Sequence, residues 1–279
     1  MTTTGAVDSP NAIDAGRAPR MVASAIAIRI TSGVCPVPGL IRTWSTFSSP
    51  VEIISVNVGK PREVGWRDEL VRTSIFKEAV EGSVAVRRLN LDGDEQSDLS
   101  VHGGPNKAVY AYRSEHYDFW RTELPDAELS WGSFGENLTV SGLPAEDAIF
   151  VGDRLRAGSA LFAVTQPRLP CFKLSIRFGR ADMVKRFLAS GRTGFYLSVV
   201  EEGVVATGDL IEIVSRDPGR VSVADITRLY AHDRADLETM RRAAALDALP
   251  EEWRLWFRER IGAAEGASAR EAAESPKFG

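Results

Sequence analysis

The sequence predicts a mainly β protein of the α+β class, in which a closed, largely antiparallel β-barrel with inserted helices is followed by a small C-terminal three-helix bundle. Between residues 51 and 217, short segments of alternating hydrophobicity are joined by turns rich in Gly and Asp, as in antiparallel barrels. Asp217-Pro218-Gly219 ends this pattern, and helical periodicity follows it. We therefore expect four regions, namely a flexible N-terminal extension (1–49), the barrel domain (50–217), a three-helix domain (218–265) and a tail (266–279).

The first 49 residues are rich in Ser, Thr, Pro and Ala and show little periodicity, which is typical of a flexible extension. Arginines without acidic residues lie between Asp14 and Glu52, a composition also found in organelle transit peptides. A translation-start artefact explains the same segment equally well.

Alternation and turn residues predict the strands of the barrel. The expected strands cover 51–58, 84–91, 108–112, 195–200 and 210–214, and a hairpin joins 151–156 to 161–165 through Ala157-Gly158-Ser159-Ala160. Helices are expected over 114–124, where Ser114 suits the N-cap, and over 182–190, which Gly191 ends.

Three amphipathic helices are predicted after residue 219. The first begins at Ser222 with a capping-box-like pattern, the second spans about 236–246, and Pro250 opens the third. The third helix carries an apolar face made by Trp253, Trp256, Phe257 and Ile261, which we interpret as core packing.

Composition excludes several classes of function. With 44% hydrophobic and 26% charged residues the chain resembles an ordinary globular protein, and a net charge of −4 gives no basic surface for nucleic acid. We find no membrane-spanning pattern and no Cys/His cluster with zinc spacing. The two cysteines, Cys35 and Cys171, form no disulfide framework, so a reducing compartment, the cytoplasm, is expected.

Cys171 is the strongest candidate for chemistry. It lies between Arg168 and Lys173 at a predicted strand-to-helix junction, where Pro170 suits the first helical position. Nearby cations and a helix N-terminus favour thiolate, which is the form that acts as nucleophile or metal ligand. The alternative is a small buried core cysteine.

A glycine-rich loop is the second candidate. His102, Gly103, Gly104 and Lys107 combine two flexible residues with a cation and a possible donor, which are the ingredients of a backbone nest for phosphate. The spacing is not that of a Walker loop, and an ordinary glycine-rich turn would explain a lone Gly-Gly.

Five ordered motifs resemble the MOSC domain, which is named for the C-terminal part of molybdenum-cofactor sulfurases. In chain order they are Leu-Asp-Gly-Asp-Glu-Gln-Ser-Asp (91–98), Val-His-Gly-Gly-Pro-Asn-Lys-Ala-Val (101–109), Phe-Gly-Glu-Asn-Leu (134–138), Val-Gly-Asp (151–153) and Gln-Pro-Arg-Leu-Pro-Cys-Phe-Lys-Leu (166–174). The chain is most similar to the YiiM-type branch, which also carries a C-terminal three-helix extension. The resemblance covers about residues 51–261 and leaves the N-terminal extension outside.

The resemblance implies a barrel that holds the pterin-based molybdenum cofactor, with Cys171 as the protein ligand to molybdenum. It also implies an enzyme that reduces N-hydroxylated compounds, such as N-hydroxylaminopurine and hydroxylamine-type molecules. Asn137 matches the asparagine that the family places near the pterin. We infer that Arg168, His102 and Lys107 contact the phosphate or the polar edge of the ring, because Arg and Lys are suited to such groups.

Two other functions stay open. Cys171 could hold a persulfide for transfer to another molecule, although the pyridoxal-phosphate domain of a desulfurase, with its lysine, cannot be identified in this chain. The protein could also be a non-catalytic carrier of the molybdenum cofactor.

An electron source is not visible in the sequence. Two cysteines cannot ligate an iron–sulfur cluster that takes four, and no Gly-x-Gly-x-x-Gly fingerprint follows a predicted strand. We therefore expect a separate electron-donating reductase as partner, with the C-terminal helices as a possible docking surface, and a small N-hydroxylated molecule as substrate.

Overall fold

A large sheet with six helices forms the part of the protein that the computed structural model describes, which is residues 50–97, 103–233 and 235–274, with side chains of the last helix to residue 267. The strands are β1 (Glu52–Val58), β2 (Arg62–Trp66), β3 (Glu69–Thr73), β4 (Glu78–Ala79), β5 (Val84–Val86), β6 (Val109–Arg113), β7 (Leu138–Ser141), β8 (Arg154–Ala157), β9 (Ala160–Pro167), β10 (Phe195–Glu201), β11 (Gly203–Val205) and β12 (Ile211–Ser215). The helices are α1 (Glu115–Glu123), α2 (Phe172–Phe178), α3 (Met183–Ser190), α4 (Val223–Ala231), α5 (Leu237–Ala244) and α6 (Glu251–Glu274).

The main sheet closes on itself. Its strand order is β12-β8-β9-β10-β6-β7-β1-β4, and neighbouring strands are antiparallel except for the parallel pair β6 and β7. The segment that leads into β12 then bonds to β1, because Gly208 N donates to Ile53 O at 2.8 Å and Ile211 N donates to Val51 O at 2.8 Å. These bonds join β12 to β1 and close the sheet into a barrel, so the predicted fold of the α+β class is confirmed.

Two cores stabilise the barrel. Its interior is filled by aliphatic side chains and two phenylalanines, including Val56, Phe162 and Phe195, which are almost fully buried. A second, aromatic core lies where α1 and α3 pack outside the sheet, around Trp120 and Phe187. Each buried side chain of this size contributes roughly 1.5–3 kcal/mol.

The C-terminal helices form a third core around Phe257. The predicted capping box is confirmed, since Ser222 Oγ accepts from Asp225 N at 3.0 Å and Asp225 Oδ2 accepts from Ser222 N at 3.0 Å. Helix α6 continues to Glu274, whereas the sequence analysis placed a tail from residue 266. The Ala and Glu in this segment are strong helix formers, which accounts for the difference.

Several strands differ from those predicted. The strand expected over 84–91 is limited to β5, and Leu91 returns only as an isolated bridge to Val86. The β2–β3 hairpin was not predicted, because most of its side chains are exposed and give no clear apolar alternation. None of the helices in the described ranges is long and apolar enough to cross a membrane.

Candidate functional site

One cleft gathers most of the residues that the sequence analysis selected. It lies beside the connection from β9 to α2, and its walls include Gly103, Lys107, Asn137, Arg168 and Cys171. Gly104 is next to the cleft in the same loop but does not line it, and His102 lies outside the described residues. Residues separated by about 70 positions in the sequence are thus brought together by the barrel.

Cys171 is the N-cap of α2. Its backbone is extended, with φ −116° and ψ 172°, and its carbonyl accepts from Leu174 N at 2.9 Å. The thiol is free and half-buried. Pro170 therefore lies immediately before the N-cap, two residues before the first helical position at which it was expected. The sulfur still stands at the positive end of the helix.

Arg168 is the buried cation of the cleft. Its side chain is 5% exposed, and its guanidinium lies 5.5 Å from the ring of Tyr110 and 5.1 Å from that of Phe187. The Nη1 atom is buried and has no hydrogen-bond partner among the described residues. A buried charged donor without a partner is costly, and an anionic or polar ligand in the cleft would satisfy it.

Ser74, Lys77 and Lys173 are further polar residues of the same cleft, and the first two were not predicted from the sequence. Ser74 Oγ is buried and also lacks a partner in the described part of the chain. Lys77 Nζ donates to Asp94 Oδ1, and burial lowers the pKa of Lys77 although Asp94 opposes that change. Lys173, which the sequence analysis had noted beside the thiol, donates to Ser97 Oγ at 3.1 Å.

Ser74 and Lys77 carry no recognisable sequence signal. They follow the exposed hairpin in a segment without glycine or charge patterning, and the pairing of β4 with β1 places them beside the cleft. Only a long-range contact reveals their position.

Asn137 joins two strands to the carboxylate of Asp94. Its Oδ1 accepts from Tyr110 N at 3.0 Å, and its Nδ2 donates to Asn57 O at 3.2 Å and to Asp94 Oδ2 at 2.9 Å. Both N–H groups of the amide are used within the protein. Asn137 therefore acts on the cleft by orienting Asp94, which in turn orients Lys77.

Glu136 supports this arrangement from behind the cleft. Its fully buried carboxylate accepts from Gly132 N at 2.9 Å, from Phe134 N at 3.1 Å and from the hydroxyl of Tyr117. Burial raises the pKa of Glu136, and these donors oppose the rise. Because each bond fixes the turn before β7, the network holds Asn137 in register.

The glycine loop adopts a conformation that other residues rarely take. Gly103 has φ 113° and Gly104 has φ 80°, and a single 3₁₀ turn, Pro105–Lys107, follows. Lys107 N donates to Gly104 O at 3.0 Å. A Cβ at either glycine would strain the backbone, so both glycines are required by the loop itself.

The cleft suits the pterin-based cofactor that the sequence motifs imply. Arg168, Lys107 and Lys173 give it cations that fit an anionic phosphate, whereas Lys77 is paired with Asp94 in the same lining. The partnerless Arg168 and Ser74 atoms supply donors. Cys171 offers the soft thiolate ligand that thiophilic metals prefer. The residues present therefore fit the group.

Comparison with known proteins agrees with this architecture. The model of the MOSC domain matches residues 98–212, and that of the YiiM-like, 3-alpha helix domain matches residues 221–262. YflK of Bacillus subtilis is 42% identical over 205 residues, which are 74% of this chain and 92% of YflK. The crystal structure of YiiM from Geobacillus stearothermophilus superposes with a TM-score of 0.64 at 36% identity and covers 76% of this chain and 100% of that one.

A third relative is longer. A protein named reductase from Gibberella moniliformis is 30% identical over 200 residues, which are 71% of this chain but 35% of that protein.

Fold, cleft and matches together define a MOSC-domain protein, a class associated with the molybdenum cofactor. More narrowly, the chain belongs to the YiiM family, in which a MOSC barrel is followed by a three-helix domain.

Proposed function

We propose that the cleft binds the molybdenum cofactor with Cys171 as the ligand to molybdenum, and that the protein reduces N-hydroxylated compounds. The observation that carries this proposal is the buried, partnerless Nη1 of Arg168 in the same cleft as a half-buried free thiol. Arg168 is 5% exposed, so a ligand in this cleft would supply the partner that its Nη1 lacks. The family membership and the relative named reductase support a redox role.

Different residues of this chain would bind different parts of the cofactor. Arg168, Lys107 and the Gly103 backbone would hold the phosphate and the polar ring edge, while Ser74 Oγ would donate to a further acceptor. Cys171 Sγ would fix the metal end of the cofactor.

Lys77, held by Asp94, would keep a proton on Nζ at the cleft wall, where its lowered pKa makes it a better acid.

The reaction consumes two electrons and two protons for each substrate, and it converts an N–OH group into N–H and water. The cofactor supplies the two-electron chemistry at the metal when it is bound. The protein supplies binding, orientation and protons, with Lys77 Nζ suited to protonate the oxygen that leaves as water.

The electrons would come from a separate protein. The region shared with the reductase of Gibberella moniliformis is 35% of that protein. We infer that this chain represents the substrate-reducing part and that a reductase domain on another chain delivers electrons to it.

The test measures metal and activity together. Wild-type protein from a host that makes the molybdenum cofactor should hold about one molybdenum per chain and reduce N-hydroxylaminopurine with an artificial low-potential donor. Cys171→Ser should lose both while remaining folded, because Ser is a good N-cap for α2. Cys35→Ser is the matched control and should keep both.

Full molybdenum content and activity in Cys171→Ser would contradict the proposal. Sulfane sulfur released by cyanide from wild-type protein that holds no molybdenum would instead favour a persulfide carrier.

A further inference from the structure

The C-terminal helices make a polar contact with the barrel beside the cleft. Trp253, in the first turn of α6, donates its indole Nε1–H to Gln166 Oε1 at 2.8 Å. Gln166 lies near the end of β9, two residues before Arg168, and is 4% exposed. The bundle is therefore hydrogen-bonded to the strand that delivers Arg168 and Cys171.

The same Gln166 side chain reaches the glycine loop. Its Nε2 donates to Asn106 O at 3.3 Å, and Thr165 Oγ1 donates to the same oxygen at 2.7 Å. Asn106 lies in the 3₁₀ turn between Gly104 and Lys107. Both lone pairs of its carbonyl oxygen are thus used, and the turn is fixed against β9.

Trp253 decides which way the Gln166 amide points. An indole N–H can only donate, so it requires the amide oxygen on its side and leaves Nε2 to face Asn106 O. Without the indole N–H, Gln166 Oε1 would be left without a donor in a buried site, and the Gln166 side chain would lose the bond that holds it in position to donate to Asn106 O.

The Trp253 ring is itself held in place. It packs edge to face on Tyr230, with ring centroids 5.5 Å apart, and against Phe257, with centroids 6.0 Å apart. Phe257 is fully buried in the core of the three helices. The position of the indole N–H is therefore set by the packing of the bundle.

We propose that Trp253 is a positioning residue for the glycine loop, Gly103–Lys107, and that it acts through Gln166 on Asn106. The three-helix domain thereby acts on the site without lining it, because its packing restrains the Gly103–Lys107 loop through Gln166. The effect on cofactor retention rests on the proposed function, whereas the effect on the loop does not.

The experiment uses Trp253→Phe, which keeps an aromatic ring and removes the N–H. Trp256→Phe is the matched control, since Trp256 belongs to the same aromatic cluster and its indole makes no hydrogen bond within the described residues. Gln166→Met removes the link from its other end. Thermal unfolding of each full-length variant reports whether the fold is kept.

The first measurement is amide hydrogen exchange in cofactor-free protein over residues 103–113. Trp253→Phe and Gln166→Met should each speed exchange of the loop about fivefold to tenfold, the double variant should add nothing further, and Trp256→Phe should leave exchange unchanged. Equal exchange in Trp253→Phe and Trp256→Phe would overturn the proposal, as would additive effects in the double variant.

The second measurement is molybdenum retained after dialysis of protein from a cofactor-producing host. Trp253→Phe and Gln166→Met should lose the metal faster than wild type and Trp256→Phe. If wild type holds no molybdenum but loop exchange still responds to Trp253 and not to Trp256, the proposed function fails and the positioning role stands. If wild type holds molybdenum and Trp253→Phe retains it with an unchanged loop, the positioning role fails alone.

Discussion

The position of Arg168 favours binding of a ligand over stability of the cofactor-free protein. The guanidinium rests against two aromatic rings, yet its buried Nη1 has no partner in the described structure. A buried charge that lacks a full set of partners lowers stability, and well-packed apolar replacements of similar volume are often neutral or stabilising. Residues kept at such a cost are typical of binding sites.

We expect Arg168→Met to separate stability from binding. The cofactor-free variant should stay within about 1 kcal/mol of wild type. A buried charge with an unsatisfied Nη1 is removed and the ring contacts are kept, although the polar contact with Tyr196 is lost. Its molybdenum content should fall about tenfold, since a charged donor to the ligand is lost. Calorimetry of the cofactor-free protein and metal analysis measure the two effects.

The control is Arg192→Met, which removes a guanidinium that stacks 3.9 Å above the Phe119 ring away from this cleft. It should leave the molybdenum content unchanged. A large loss of stability in cofactor-free Arg168→Met would show that Arg168 is needed for folding rather than for a ligand.

Single residues were predictable where the signal is local. Arg168, Cys171 and Lys173 are neighbours in sequence, so their joint presence in one cleft followed from the junction between strand and helix. Ser74 and Lys77 were not predictable, because they reach the cleft through the pairing of β1 with β4. Asn137 was selected from a motif, but its bond to Asp94 could be found only in three dimensions.

Among the elements, α1 is tied to the strand β10 by a buried acid. His116 of α1 contacts Glu146 Oε1 through Nε2 at 2.7 Å, and Gly194 N, just before β10, donates to the same oxygen at 2.9 Å. Gly194 O in turn accepts from Arg168 N at 3.3 Å. The carboxylate thus helps to fix the backbone on which Arg168 stands.

Glu146→Gln should reduce stability in a pH-dependent way. Burial alone would raise the pKa of Glu146, but the His116 contact and the Gly194 N–H hold it below its ordinary value of 4.5. A carboxyl pKa lowered by folding stabilises the protein above the unfolded pKa, and this contribution disappears as the pH falls through the folded pKa. The variant should therefore be about 1–2 kcal/mol less stable near pH 6 and approach wild type only as the pH falls below 4.5 and through the lowered pKa of Glu146.

Urea unfolding across this pH range measures the difference. Asp118→Asn, which changes an exposed acid on α1, the helix that carries His116, should stay within about 0.5 kcal/mol of wild type. A Glu146→Gln difference that does not change with pH would contradict the linkage.

Elements with strong local signals were predicted well, and the others depended on pairing. The capping box at Ser222 and the hairpin at Gly158 were recognised because turn and cap chemistry is encoded within a few residues. The strands β4 and β11 are only two and three residues long, so their existence depends on partner strands rather than on their own pattern.

At the scale of the whole molecule, the barrel forms the cleft, and the bundle is linked to the glycine loop of that cleft by hydrogen bonds. The barrel brings Cys171, Arg168 and the glycine loop together, and the bundle reaches that loop through Trp253 and Gln166. A protein that docked on the bundle would therefore stand close in structure to the loop that we expect to hold the cofactor.

The last prediction concerns the electron supply of the whole chain. Its two cysteines cannot hold a cluster that needs four thiolates, and no Gly-x-Gly-x-x-Gly sequence follows a strand. Because reduction of N–OH consumes two electrons, the purified chain should turn over with an artificial low-potential donor and should fail with NADH or NADPH alone. Addition of a nicotinamide-dependent reductase protein from the same cells should restore turnover with NADPH. Sustained NADPH oxidation by the pure chain, or a flavin band in its absorption spectrum, would show that the electron path lies within this protein.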